Sequence, residues 1–295
     1  MSLKEKNIQA LISLLDDSDE EVFKTVSRQL MEVGYDGLSF LEKAQKNADS
    51  LVLHDRLGSI ILYIEQNSIA ERFEKWLMSD NRNLLDGWIL LSSLQFPNIS
   101  KDAVYKLFHQ LVNEVWIELN ESLTSLEKTS VINHILFDRY RFEISKSLLG
   151  IDELKSNCIR MLLASRQGNG LSLLLLYYLV GKNLNLPIHV ISFRNNLLLA
   201  YYDPEVASEA FGKDADPYLF YINPEHKGAI IGYKELEYSF KKEMKQNFKD
   251  MCSTETELDL VKRLAINFKE IYISIGHFSQ FNAAEKIILL LQTYK

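Results

Sequence analysis

Apolar positions recur at helical spacing in block after block through the first 145 residues. Ile8, Leu11, Ile12, Leu14 and Leu15 form one stripe. Ser18 with Glu21 has capping-box spacing and is expected to open a second helix carrying Val22, Phe23, Val26 and Leu30. Gly34 and Gly37 punctuate, and Leu38, Phe40, Leu41 and Ala44 make a third stripe. Further helices are expected over 51–65, 67–78, 82–94 and 101–119. Thr124 with Glu127 repeats the capping-box spacing and opens a helix through Val131, Ile132, Ile135 and Leu136. Short helices in pairs fit a HEAT-like arrangement or an irregular bundle, and no repeat period separates the two.

The pattern changes near residue 150. A helix over 152–164 runs into Arg166-Gln167-Gly168-Asn169-Gly170. From Leu171 to Val180 nearly every position is apolar, the mark of a helix buried on all sides. Ile188–Phe193, Leu197–Tyr202, Tyr218–Ile222 and Ala229–Ile231 then read as strands, and their short connections predict an antiparallel sheet. The segment 203–216 reads as a polar loop. One helix is expected over 233–248, and Thr254 with Glu257 is expected to open another. Gly276 separates that helix from a last one, giving a tetratricopeptide-type pair. The expected fold is α+β and mainly helical: an N-terminal helical bundle, a central helix on a small antiparallel sheet, and a closing helical hairpin. The expected divisions are 1–98, 99–248 and 249–295.

Composition narrows the function by exclusion. Lys and Arg number 33 against 40 Asp and Glu, a net charge of −7, which argues against a nucleic-acid partner. Cys158 and Cys252 stand 94 residues apart with no CxxC, so no thiolate metal site is expected. Leu171–Val180 is too short for a membrane span of about 20 residues. The acidic run after Leu15 does not suit a signal peptide, so a cytoplasmic location is expected. No dinucleotide or P-loop fingerprint occurs, and no cofactor is expected.

Three segments carry a resemblance. VWIELNESLTSLEKTSVINHILFDRYRF, SRQGNGLSLLLLYYLVGKNLNLPIHV and LFYINPEHKGAII follow one another between Val115 and Ile231. In that order they resemble the bacterial SirB-type transglutaminase-like proteins, and the likeness extends over nearly the whole chain. It implies a transglutaminase or papain-like core. In active relatives a Cys at the start of the central helix is the nucleophile, a His is its base and an Asp orients the His. A helix N-terminus favours the reactive thiolate, and the outcome is acyl transfer or amide hydrolysis. Relatives with the nucleophile read Arg-x-Gly-Asn-Cys-Leu at the helix start. The corresponding residues are Arg166 to Leu171, with Gly170 at the Cys position. The His position falls on Asn196 and the Asp position on Asn223. Glycine has no side chain to attack with, and asparagine does not titrate.

The resemblance therefore implies a catalytically inactive member that serves as a protein- or peptide-binding module. The alternative is a hydrolase or acyltransferase with a rebuilt site in the same cleft. Its candidates are His226 and Glu225 in the turn after Asn223, and Ser172 just past Gly170. Two residues along a helix is a rotation of about 200°, so Ser172 is expected to face away and bond a carbonyl one turn back. His134 with Asp138 is expected to be a local polar pair on one helix face, His189 on an apolar strand face a hydrogen-bonded core or edge histidine, and Cys158 a packed thiol.

Overall fold

A computed structural model describes residues 3–17, 19–97, 99–147, 149–193, 196–212, 216–241 and 252–294. The chain divides into two compact units, 1–79 and 80–295. In the first, α1 (Leu3–Leu14), α2 (Glu20–Val33), α3 (Leu38–Lys46) and α4 (Leu51–Leu77) pack around Ile8, Leu15, Leu30, Leu41 and Leu57. Asp19 caps α2 by accepting from the Glu21 N–H, while Ser18 lies outside the described residues. Two helices were expected over 51–78. The structure has one, continuous through Asn67, whose side-chain amide donates to the Tyr63 carbonyl one turn back.

The second unit opens with α5 (Leu84–Ser92), which packs on α13 (Glu257–Ser274) of the same unit. Next come α6 (Lys101–Glu118) and α7 (Ser125–Asn133), the latter opened by the expected Thr124–Glu127 capping box. A π-helical stretch, His134–Arg139, continues α7. The helix expected over 152–164 is two, α8 (Ile151–Asn157) and α9 (Ile159–Ser165), broken where Cys158 turns extended. That break frees the Asn157 carbonyl, which accepts from the Trp88 Nε1–H at 2.6 Å. Two short strands, β1 (Glu143–Ile144) and β2 (Gln167–Gly168), pair in parallel just before α10 (Gly170–Asn183).

The main sheet is antiparallel, as expected. Its strands are β3 (Ile188–Phe193), β4 (Asn196–Tyr202), β5 (Tyr218–Asn223), β6 (Ala229–Ile231) and β7 (Cys252–Thr254), in the order β6-β5-β4-β3-β7. The largely apolar α10 packs against β3 and β4, with Leu173 through Tyr177 buried. On another face Ile191, Phe193, Ala200 and Tyr221 gather with Leu236 of α12 (Tyr233–Lys241). The rest of the helix expected to 248 lies outside the described residues. Within the expected polar loop, Pro204–Phe211 forms a helix, α11, because Asp203 caps it and Pro204 supplies a preset first turn. Thr254 belongs to β7, and the cap of α13 is instead Thr256 with Asp259. After the turn at Gly276, α14 (Phe278–Thr293) packs on α13. Among the described residues no helix is long and apolar enough to cross a membrane.

Candidate functional site

The site is organised at the N-terminus of α10. Asn169 is extended and buried, and its Oδ1 accepts from the Ser172 N–H at 2.8 Å. Ser172 Oγ accepts from the Asn169 N–H at 2.9 Å and donates to the Asn169 carbonyl at 3.0 Å. This reciprocal cap satisfies donors that a helix start otherwise leaves open. Asn169 Nδ2 also donates to Asn157 Oδ1 at 2.9 Å, and Asn157 is fully buried. A buried polar chain thus runs from Trp88 through Asn157 and Asn169 to the first turn of α10 and fixes where Gly170 stands.

Gly170, Asn196 and Asn223 line one cleft of about 780 Å³, together with Glu225. Asn196 is exposed at the start of β4. Asn223 ends β5 and caps the 3-10 turn Pro224–His226, its Oδ1 accepting from the Glu225 N–H at 3.1 Å. That turn is held to the helices through Gly228. Asn133 Nδ2 donates to the Gly228 carbonyl at 2.8 Å, and Asn133 Oδ1 accepts from the buried Tyr177 hydroxyl at 3.0 Å. The result brings the Glu225 carboxylate over Gly170, into the space that a side chain at 170 would occupy. Glycine is what lets the carboxylate approach, and the free N–H groups of a helix start favour an anion there.

Helix α13 forms another wall. Arg263 Nη2 donates to Ser192 Oγ at 2.7 Å and to Glu255 Oε1 at 2.6 Å, so its charge is already paired. Asn267 and Glu270 also line the cleft, and Asn267 Oδ1 is buried with no hydrogen-bond partner. Leu174, Phe193 and Leu236 supply apolar surface. The α13 residues were not singled out from sequence, since nothing in a helical stripe shows which distant strand it meets.

The other candidates fall elsewhere. His226 is exposed on the turn and does not line the cleft, although its neighbour Glu225 does. Ser172 is buried in the cap, bonded to the carbonyl three residues back. His134 Nδ1 and Asp138 Oδ2 meet at 3.3 Å on an exposed face. His189 stacks on Tyr202 with centroids 4.9 Å apart, and burial pulls its imidazole below the usual histidine range. Burial pushes the Cys158 thiol up, and burial with the nearby Asp216 pushes Cys252 to about 11. Neither thiol lines the cleft, and neither has the thiolate character of a nucleophile. Among the described residues no group of three or more His, Cys, Asp or Glu is placed to hold a metal ion.

The site is thus the capped start of a buried helix facing a cleft at the edge of an antiparallel sheet. The family model described as the transglutaminase-like superfamily matches residues 102–265, just over half of the chain, and the chain belongs to that superfamily. No curated protein and no solved structure gives a significant match.

Proposed function

We propose that the chain is a SirB-type transglutaminase-like protein whose catalytic triad is vacated, and that its cleft binds a peptide or protein segment without turning it over. One observation carries this reading: Gly170, Asn196 and Asn223 share the cleft, with the Glu225 carboxylate over Gly170. Acyl transfer through a thioester needs a thiolate, a base within hydrogen-bond reach of it, and a group that orients the base. Here the nucleophile position has no side chain, and the other two carry amides that cannot take a proton. A carboxylate in the nucleophile's place also repels the negative charge that develops on an attacked carbonyl. What the cleft keeps is room, apolar surface and polar groups, which suit recognition of an extended chain.

The test uses the purified full chain. Fluorogenic peptide hydrolysis and incorporation of a fluorescent amine into a glutamine-containing peptide are both expected to stay at the buffer rate. Peptides selected for binding from a displayed library are expected to lose at least about tenfold in affinity for Asn196→Trp, which places a large ring at the cleft mouth from an exposed position; tenfold corresponds to about 1.4 kcal/mol. Turnover that vanishes in Glu225→Ala would overturn the inactive reading. Peptide affinity untouched by Asn196→Trp would overturn the cleft as the binding site.

A further inference from the structure

A second pocket lies apart from the cleft, between α6, the end of the π-helical stretch and the end of α9. Its volume is about 330 Å³, at the small end of ligand-sized cavities. Leu111, Phe142 and Leu163 form an apolar floor, each 9% exposed or less. Glu114, Arg139, Tyr140 and Arg166 stand on its walls.

The two arginines differ. Arg139 is spent on carboxylates, with Nε 3.4 Å from Glu114 and Nη1 3.4 Å from Glu118. Tyr140 donates its hydroxyl to Glu114 at 2.6 Å. Burial and then that hydrogen bond raise the phenol to about 12, so Tyr140 adds no negative charge. Arg166 makes no ion pair with any described carboxylate. Its guanidinium lies over the Tyr140 ring at 5.3 Å. The charge on the walls is therefore one balanced pair plus one free guanidinium.

The backbone marks the same place. Arg166 ends α9 in the left-handed conformation at φ 65°, a position that geometry reserves for glycine. Arg141, which lies in sequence between the lining residues Tyr140 and Phe142, is left-handed too at φ 59°. The π-helical stretch His134–Arg139 delivers Arg139 and Tyr140 to the wall, and such stretches recur at functional sites. Strain retained around a cavity is characteristic of ligand clamps.

We propose that this pocket binds a small molecule with an apolar body and one carboxylate, the body resting on Leu111, Phe142 and Leu163 and the carboxylate taken by Arg166. A planar guanidinium with unengaged donors matches a carboxylate in a two-bond fork. The inference does not depend on the reading of the cleft.

Isothermal titration with phenylacetate and its neutral amide, phenylacetamide, tests it. Wild-type protein is expected to bind phenylacetate saturably and the amide at least about tenfold more weakly. Arg166→Gln is expected to erase that preference. Arg166→Gly is expected to do the same while keeping or raising Tm, because glycine relieves the backbone, so loss of binding cannot be laid to unfolding. Asn196→Trp is expected to bind phenylacetate as wild type does. Equal binding of acid and amide, no saturable binding of either, an unchanged preference in Arg166→Gln, or loss of binding in Asn196→Trp would each overturn the proposal.

Discussion

Replacing Asn169 by alanine is expected to destabilise the second unit by about 2–4 kcal/mol. Two losses add. The N-cap acceptor for the Ser172 N–H disappears, which costs about 0.5–2 kcal/mol. The fully buried Asn157 Oδ1 then loses its donor, and an orphaned buried polar group costs about 1–3 kcal/mol. Asn169→Ser separates the terms, since serine still caps the helix but cannot reach Asn157. It is expected to lose roughly the second term alone. Urea denaturation checks both, with the midpoint lowered and the m-value unchanged. A loss below about 0.5 kcal/mol for Asn169→Ala would mean that this network does not anchor the start of α10.

Gly228→Ala is expected to cost about 2–5 kcal/mol. Gly228 sits at φ +72°, where a side chain costs about 1–2 kcal/mol on its own. The added Cβ would also overlap the Asn133 side-chain amide. Asn133 would have to leave, breaking its bond to the Gly228 carbonyl and abandoning the buried Tyr177 hydroxyl. Two lost, partly buried hydrogen bonds contribute about 1–3 kcal/mol more. The effect should couple to Asn133. In the Asn133→Ala background the overlap is gone, so Gly228→Ala should cost only the backbone strain. Thermal melts of the four proteins in this cycle give the coupling directly, and strict additivity would show that the turn is not held through Asn133.

The legible parts of the fold were those written in local periodicity. The nearly unbroken apolar run Leu171–Val180 marked α10 as a buried helix, and apolar segments joined by short connections marked β3 to β6. Elements fixed by distant contacts were not legible. Strand β7 has three residues and exists because β3 pairs with it across more than fifty positions. The break at Cys158 goes with a contact from sixty-nine residues away, the Trp88 indole bonding the freed Asn157 carbonyl. For α11 the signal was present, Asp203 followed by Pro204, but the polar composition of the segment masked it. Capping-box spacing also misled where Thr254 and Thr256 compete, since the first is spent in a strand. Asn196 and Asn223 were picked out through a resemblance, not through their own chemistry. Glu225 was a weak candidate because a turn carboxylate is ordinarily solvated, and only the missing Cβ at Gly170 lets it reach the helix start.

The titration of a cysteine placed at position 170 tests the vacated-triad account most directly. The variant carries Gly170→Cys, Asn196→His, Asn223→Asp and Glu225→Ala, and the pH dependence of alkylation by iodoacetamide is compared with Gly170→Cys alone. Cys252, pushed to about 11, and buried Cys158, also raised, titrate well above a new thiol in the cleft. With histidine and the helix start both facing it, the thiol of the fourfold variant is expected to ionise about two pH units or more below a free cysteine at about 8.5. In the single variant the new side chain takes the space of the Glu225 carboxylate, which must shift yet remains a neighbouring negative charge, and no histidine faces the sulfur, so its thiol is expected at or above that value. A fourfold variant whose thiol ionises no lower than the single variant's would contradict the account, because residues 170, 196 and 223 would then not form one catalytic constellation.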